Sequence, residues 1–219
     1  MTQGLPAALA RRAEIILRPE AQRPAIEMLC AAASRLAVYG VGVCTSRVEL
    51  VRTLVDSSEV KVIGLVDFPW GAADADAKRF EAEVAVDLGA HEVQYVIHTP
   101  RLQDGEHTCV LREMRDVVEA ADERPVTMVL QMQLLTADQV RQACEMALDA
   151  GIQGVATGLT SQSAVDPALI RNLRGMLGNK LLLKAAGRIE AASEAQSLLD
   201  AGADRLQSGE ELLRLLSGP

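Results

Sequence analysis

Aromatic side chains are nearly missing. One tryptophan, two tyrosines and two phenylalanines make up 2% of the 219 residues, although 49% of the chain is hydrophobic. Alanine, leucine and valine must build the core, which suits helices packed on parallel strands better than an all-β sandwich. Cysteine is scarce as well. Cys30, Cys44, Cys109 and Cys144 lie far apart with no CxxC pair, which argues against a zinc site or a disulfide framework. Cys30, Cys109 and Cys144 fall in helix-like stretches and read as small core residues, and Cys44 as a packed one. Positive charge is in deficit: 22 Lys and Arg against 30 Asp and Glu give a net charge of -8. Without a basic block, neither nucleic acid nor an anionic membrane is an expected partner. Long apolar runs are absent too. The segment MTQGLPAALARR lacks the apolar region of a signal peptide, and no run reaches membrane-spanning length. The expectation is a reduced, cytoplasmic protein.

What the chain has is alternation. Gly40 to Cys44, Val60 to Phe68, Glu92 to His98, Val126 to Met132, Ile152 to Thr157, Lys180 to Ala186 and Asp204 to Gln207 read as strands. Helical spacing or caps mark the segments between them. These are Pro24 to Val38, Thr45-Ser46 to Val55, a helix capped by Asp74 or Asp76 and closed by Gly89, and Glu106 to Ala121. Further helices run from Thr136 to Gly151, from Asp166-Pro167, over Ala191 to Ala201, and from near Gly209. Ala13 to Leu17 (AEIIL) is either a first short strand or the end of an N-terminal helix. Taken as a strand it completes eight β–α units, punctuated by LGAHEV, DAGIQGV and DAGADRL. Such short connections demand parallel strands with helical crossovers, and eight units predict a (β/α)8 TIM barrel. A single domain over residues 1–219 is expected. An open doubly wound sheet is the alternative, weakened because no GxGxxG follows an early strand.

The run LLLKAAGRI, residues 181–189, places Lys184 near the carboxyl end of a buried strand. Barrels do their chemistry at that end, but a lysine there can also snorkel or pair with a buried acid. Strand alternation puts Gln94 on one face with Glu92 and His98, Gln131 with Thr127 and Val129, and Lys184 with Leu182 and Ala186. Asp67 ends a nearby strand, and Trp70 either walls or covers the barrel mouth. His91 and His107 adjoin helix ends and read as surface residues.

The order of motifs resembles the deoxyribose-phosphate aldolase family, class I aldolases on a TIM barrel. The matching stretches are VGVCTS, VIGLVDFPWG followed by AKRFEAEVAVDLGAHEV with Lys78 and Glu81, LLTADQV, DAGIQGVATG, LLLKAAGRI and AGADRLQSG. The resemblance implies a Schiff-base lysine in a KTSTG-type segment, but here that position is Ala156 in GVATGLT, which cannot form an imine. It implies a proton-relay aspartate where Gln94 stands, a glutamate where Gln131 stands and an early aspartate where Ala13 stands. The lysine of the family's KxxGG strand matches Lys184, but Arg188 replaces the second glycine. The family's GSS-like phosphate turn is Gln207-Ser208-Gly209, so Gly187, Ser208 and Gly209 could keep part of a phosphate grip.

Two functions follow as expectations. The first is a divergent aldolase-superfamily enzyme acting on a small carbonyl-containing or anionic metabolite, phosphorylated or carboxylated. Lys184 would be its key amine, His98 and Gln94 catalytic partners, and Gln131, Gly187, Arg188, Ser208 and Gly209 substrate-binding residues. Ordinary deoxyribose-phosphate aldolase activity is disfavoured. The alternative is a catalytically inactive barrel serving as a binding or scaffold subunit. No cofactor and no metal are expected, because no His/Asp/Glu set converges at the strand ends. Apolar helix faces would support a homodimer, though sequence alone does not separate them from faces packed on the barrel. An enzyme should expose Lys184 to a water-filled pocket. A scaffold should fill the mouth with Arg188, Trp70 or apolar side chains.

Overall fold

Alternating apolar runs with short connections leave parallel pairing through helical crossovers as the available topology. The computed structural model, which describes residues 5–159 and 163–218, closes that pattern. The ends of the expected 1–219 domain lie outside the described residues. The chain runs α1 (Leu5–Ala10), β1 (Ala13–Ile16), α2 (Arg23–Leu36), β2 (Gly40–Cys44), α3 (Val48–Leu54), β3 (Lys61–Val66) and α4 (Ala75–Asp87). It continues through β4 (Glu92–Val96), α5 (Thr99–Gln103), α6 (His107–Ala120), β5 (Val126–Val129), α7 (Ala137–Ala150) and β6 (Gly154–Ala156). The last elements are α8 (Pro167–Leu177), β7 (Leu182–Ala186), α9 (Ala192–Asp200), β8 (Arg205–Ser208) and α10 (Glu210–Ser217). The strands pair in sequence order, and β8 returns to β1 with Glu14 opposite Gln207, so the sheet is a closed (β/α)8 barrel. AEIIL is therefore a strand. Among the described residues, no helix is long and apolar enough to cross a membrane.

Local chemistry explains the boundaries. Asp74 accepts from the Asp76 amide at 3.1 Å and caps α4. Thr136 and Gln139 form a reciprocal capping box on α7, which Gly151 ends at φ 83°. Thr45-Ser46 does not cap α3 directly, because Thr45–Arg47 first form a single 3-10 turn. The expected strand ends at 97–98 and 130–132 depart from the sheet. His98 caps the short helix α5, and Gln131 precedes a 3-10 turn at Met132–Leu134.

Strand residues alternate between the helix layer and the barrel interior. Val41, Val62, Val93, Tyr95, Met128, Val155, Leu183 and Leu206 are fully buried members of the main core. The inward positions are unequal in size. On β2 they include Gly40 and Gly42, and a Cβ on Gly42 would strike the Cδ1 of Ile16. Ile16, Ile63 and Leu65 use the space those glycines leave. Cys109 departs from its expected core position: it is exposed on α6, whereas Cys30 and Cys144 are buried. His91 is only half-exposed, and its Nδ1 accepts from the Val62 amide at 2.9 Å.

Gly42→Val is expected to overpack this layer and lower unfolding free energy by about 1–3 kcal/mol. Adding Ile16→Ala should recover part of that loss. Urea unfolding of the two single variants and the double measures the coupling, and simple additivity would contradict the packing described.

Candidate functional site

The barrel interior holds charge, and Lys184 is at its centre. Its side chain is 1% exposed, and its Nζ lies 3.0 Å from Glu14 and 3.4 Å from Glu92. Gln94 accepts from the same Nζ at 3.5 Å. Arg205 reaches both acids, at 3.0 Å from Glu14 and 3.2 Å from Glu92, with its guanidinium stacked 3.4 Å from the Tyr39 ring centroid. The Tyr39 hydroxyl donates to Glu92. Gln207 donates to Glu14 and to Gln94, both at 2.8 Å. Two carboxylates thus face two cations, and two amides carry the network across the barrel from β8 to β4. Burial alone would raise the Glu92 carboxyl. Lys184, Tyr39 and Arg205 outweigh it and hold the group below the usual carboxylate range. Burial would likewise lower the Arg205 guanidinium, but Glu92 and Glu14 push it up.

On β4 to β7 the interior turns apolar toward the carboxyl ends of the strands. Val96, Val129, Ala156 and Ala186 pack together, with Phe68 and Leu159 against them. Ala156 pairs with Lys184 across β6 and β7 and is fully buried. The amine therefore sits beneath an apolar layer, tied to acids, rather than facing a water-filled pocket. Arg188 and Trp70 do not fill the mouth: Trp70 is 78% exposed, and the exposed Arg188 lies 3.7 Å from Glu190.

The other candidates disperse. His98 accepts from the Arg101 amide through Nδ1 at 3.2 Å, and burial with nearby Lys78 and Arg101 lowers its pKa. Gln131 is half-buried at the N-terminus of its 3-10 turn. The space beside Gly187 is taken by Val165 and the Ser163 carbonyl. Ser208 is buried. Its hydroxyl accepts from the Ile189 amide at 3.2 Å and donates to Glu211 at 3.0 Å. The same Glu211 carboxylate accepts from the Gly209 amide at 3.2 Å. A carboxylate of the chain thus occupies the donors that were expected to grip an anion.

A second buried lysine organises the rim. Lys78 is fully buried, 3.0 Å from Glu113 and 3.5 Å from Asp67, and donates to the carbonyls of Gly71 and Val96. Glu81 accepts from Thr45 and from the Asp67 amide. Asp67, at φ 48°, accepts from the Ala73 amide at 2.8 Å, so it shapes the loop after β3. A cleft of about 540 Å³ remains at the mouth over β5 to β7, between Met132, Gln133, Gly158, Leu159, Val165 and Leu169. Among the described residues, no group of three His, Cys, Asp or Glu side chains gathers as a metal site.

This geometry defines an aldolase-type (β/α)8 barrel built around a buried, ion-paired lysine. The chain belongs to the deoxyribose-phosphate aldolase family. It is 37% identical over 194 residues to deoxyribose-phosphate aldolase of Bdellovibrio bacteriovorus, covering 87% of each chain. It is 36% identical over 194 residues to the enzyme of Clostridium perfringens, covering 87% of this chain and 86% of that one. The structure of the tetrameric deoxyribose phosphate aldolase from Aeropyrum pernix superposes with a TM-score of 0.87 at 23% identity, covering 97% and 91% of the two chains. No protein-family model matches the chain.

The sequence reading missed Glu14, Tyr39, Arg205 and Glu211. Glu14 and Arg205 were legible as lone charges within or beside apolar strand runs. Their partners were not, because β4 meets β8 only across the closed barrel.

Two outcomes follow from the ion cluster. Lys184→Met leaves two buried carboxylates with one cation and should cost about 3–5 kcal/mol in urea unfolding. Pairing it with Glu14→Gln should restore part of that. Glu92, held low in the fold, contributes stability that is fully present above the ordinary glutamate value and fades as pH falls through its lowered one. Glu92→Gln should therefore weaken the protein at pH 7 and flatten the decline in stability from about pH 5 downward.

Proposed function

We propose that this chain is a non-catalytic barrel of its family, a binding subunit that does not carry out Schiff-base aldol chemistry. The observation that carries this reading is the state of Lys184, which is paired with Glu14 and Glu92 and covered by the Val96, Val129, Ala156 and Ala186 layer. An imine needs an unprotonated amine and a carbonyl within bonding reach. The Lys184 amine is instead held by two carboxylates, and the apolar layer separates it from the mouth. The position that would carry the imine lysine by resemblance holds a methyl group. The Glu211 carboxylate on Ser208 and Gly209 further supports the reading, because a sugar phosphate would meet like charge there.

The divergent-enzyme reading keeps one supporting feature, the cleft at the mouth. Its named amine, Lys184, and its named acid–base partners, His98 and Gln94, do not line that cleft. Under the proposed function the cleft holds a ligand without turning it over.

Incubation with deoxyribose 5-phosphate and with small aldehydes and ketones, followed by borohydride reduction, tests this. Mass spectrometry is expected to find no adduct on Lys184, and no acetaldehyde should be released from the sugar phosphate. A stoichiometric adduct absent from Lys184→Ala, or steady acetaldehyde release, would overturn the proposal.

A further inference from the structure

Phe68 bridges two apolar groups inside the barrel. It packs against Val96, Val129, Ala156 and Ala186 on β4 to β7, and against Ile16, Ile63 and Leu65 on β1 and β3. The layer above Lys184 is thus completed from the mouth by an aromatic side chain carried on the loop after β3. That loop holds its own shape. Asp67 and Gly71 both take left-handed backbone, at φ 48° and 69°. The Gly71 amide donates to the Asp67 carbonyl at 2.9 Å, and the Ala73 amide to the Asp67 carboxylate at 2.8 Å. A left-handed residue other than glycine persists only where its surroundings over-determine it, and such outliers gather at working parts of a fold. Gly71 meets β4 with no room to spare: a Cβ there would lie 2.5 Å from the Val96 Cγ1 and 2.7 Å from the Ile97 carbonyl.

Lys78 ties this loop to the barrel. Its Nζ donates to the Gly71 carbonyl at 3.1 Å and to the Val96 carbonyl at 2.9 Å, so one ammonium grips the loop and the end of β4 together. Glu113 lies 3.0 Å from the same nitrogen and accepts from the His98 amide at 3.1 Å, which brings α6 and the end of β4 into the same grip. An apolar side chain would pack α4 on the barrel with less desolvation cost than a buried ion pair. What the ammonium adds is a directed hold on two carbonyls, one on the loop and one on the wall it closes against.

From this we infer that the loop between β3 and α4 is a cover for the barrel interior, with Phe68 as its stopper and the Lys78–Glu113 pair as the clamp that keeps the stopper seated. With the clamp made, as in this structure, the interior is shut. With the clamp broken, the loop lifts and the layer above Lys184 opens to the mouth. The inference deepens the non-catalytic reading, which rests on that covered layer, by naming the parts that keep it covered.

A thiol set beneath the stopper tests this. Ala156→Cys places one in the fully buried layer, and Cys30 and Cys144, buried in the main core, report any general loosening. Iodoacetamide labelling of the folded full-length chain is followed site by site by peptide mass spectrometry. Adding Phe68→Ala is expected to speed labelling of the introduced thiol by about tenfold or more, with Cys30 and Cys144 unchanged. Lys78→Met combined with Glu113→Gln removes the clamp's cation and its closest counter-ion at once, and should do the same with Phe68 in place. Phe68→Leu, smaller but still apolar, should give a lesser rise in the same direction and serves if the alanine variant does not fold. A rate that stays unchanged in either the stopper or the clamp variant would overturn the inference, and so would a rise shared equally by Cys30 and Cys144. The readout is thiol exposure and not turnover, so these failures leave the non-catalytic reading standing. A borohydride-trapped adduct on Lys184 would overturn that reading instead.

Discussion

The structure depends on how three buried charges and the half-buried Arg205 neutralise one another inside a closed barrel. Glu14 and Glu92 face Lys184 and Arg205, and Gln94, Gln207 and Tyr39 take up the remaining hydrogen-bonding capacity. Removing such groups from water is costly, and the arrangement is tolerable because nearly every donor meets an acceptor. The strands involved are β1, β7 and β8 on one wall and β4 on the other. The cluster therefore joins opposite sides of the barrel, where backbone pairing joins only neighbours.

That constraint sets what lies above it. With the polar groups satisfied low in the barrel, the next inward positions are free to be small and apolar, and Val96, Val129, Ala156 and Ala186 fill them. The same self-sufficiency recurs at the rim. Lys78 and Glu81 are used to hold the loop after β3, and Asp166, Glu194 and Glu211 are used on helix ends. In a family whose resemblance implies a charged and reactive mouth, this chain spends its charged side chains on itself.

Much of the fold was legible because its signals are local. The Gly-Ala steps before strands, the Thr136 capping box and the Asp166-Pro167 helix start are short-range chemistry, and each marks a boundary the structure keeps. The ambiguity of AEIIL was settled only by barrel closure, since Ala13 to Ile16 gain their partners from β2 and β8. The helices Leu5–Ala10 and Thr99–Gln103 are too short for periodicity to reveal. At the site, the burial of Lys184 near the end of its strand was readable from the apolar run around it. The fate of Lys184 was not. Whether a strand lysine faces a pocket or a carboxylate depends on residues more than ninety positions away in sequence, here Glu92 and Glu14. Attention to Ala13 as the altered acidic position also passed over Glu14, the acid one residue along that turns inward.

The central claim is that the Lys184 amine is a sequestered ion-pair partner. Reductive methylation of the native protein with formaldehyde and cyanoborohydride tests it most directly, because the reaction proceeds through an imine with the smallest aldehyde. The chain has four lysines, Lys61, Lys78, Lys180 and Lys184. Time-resolved peptide mass spectrometry should show Lys61 and Lys180 modified early, with Lys184 as slow as the fully buried Lys78 until the protein unfolds. Methylation of Lys184 at the rate of Lys180 in the folded protein would contradict the account.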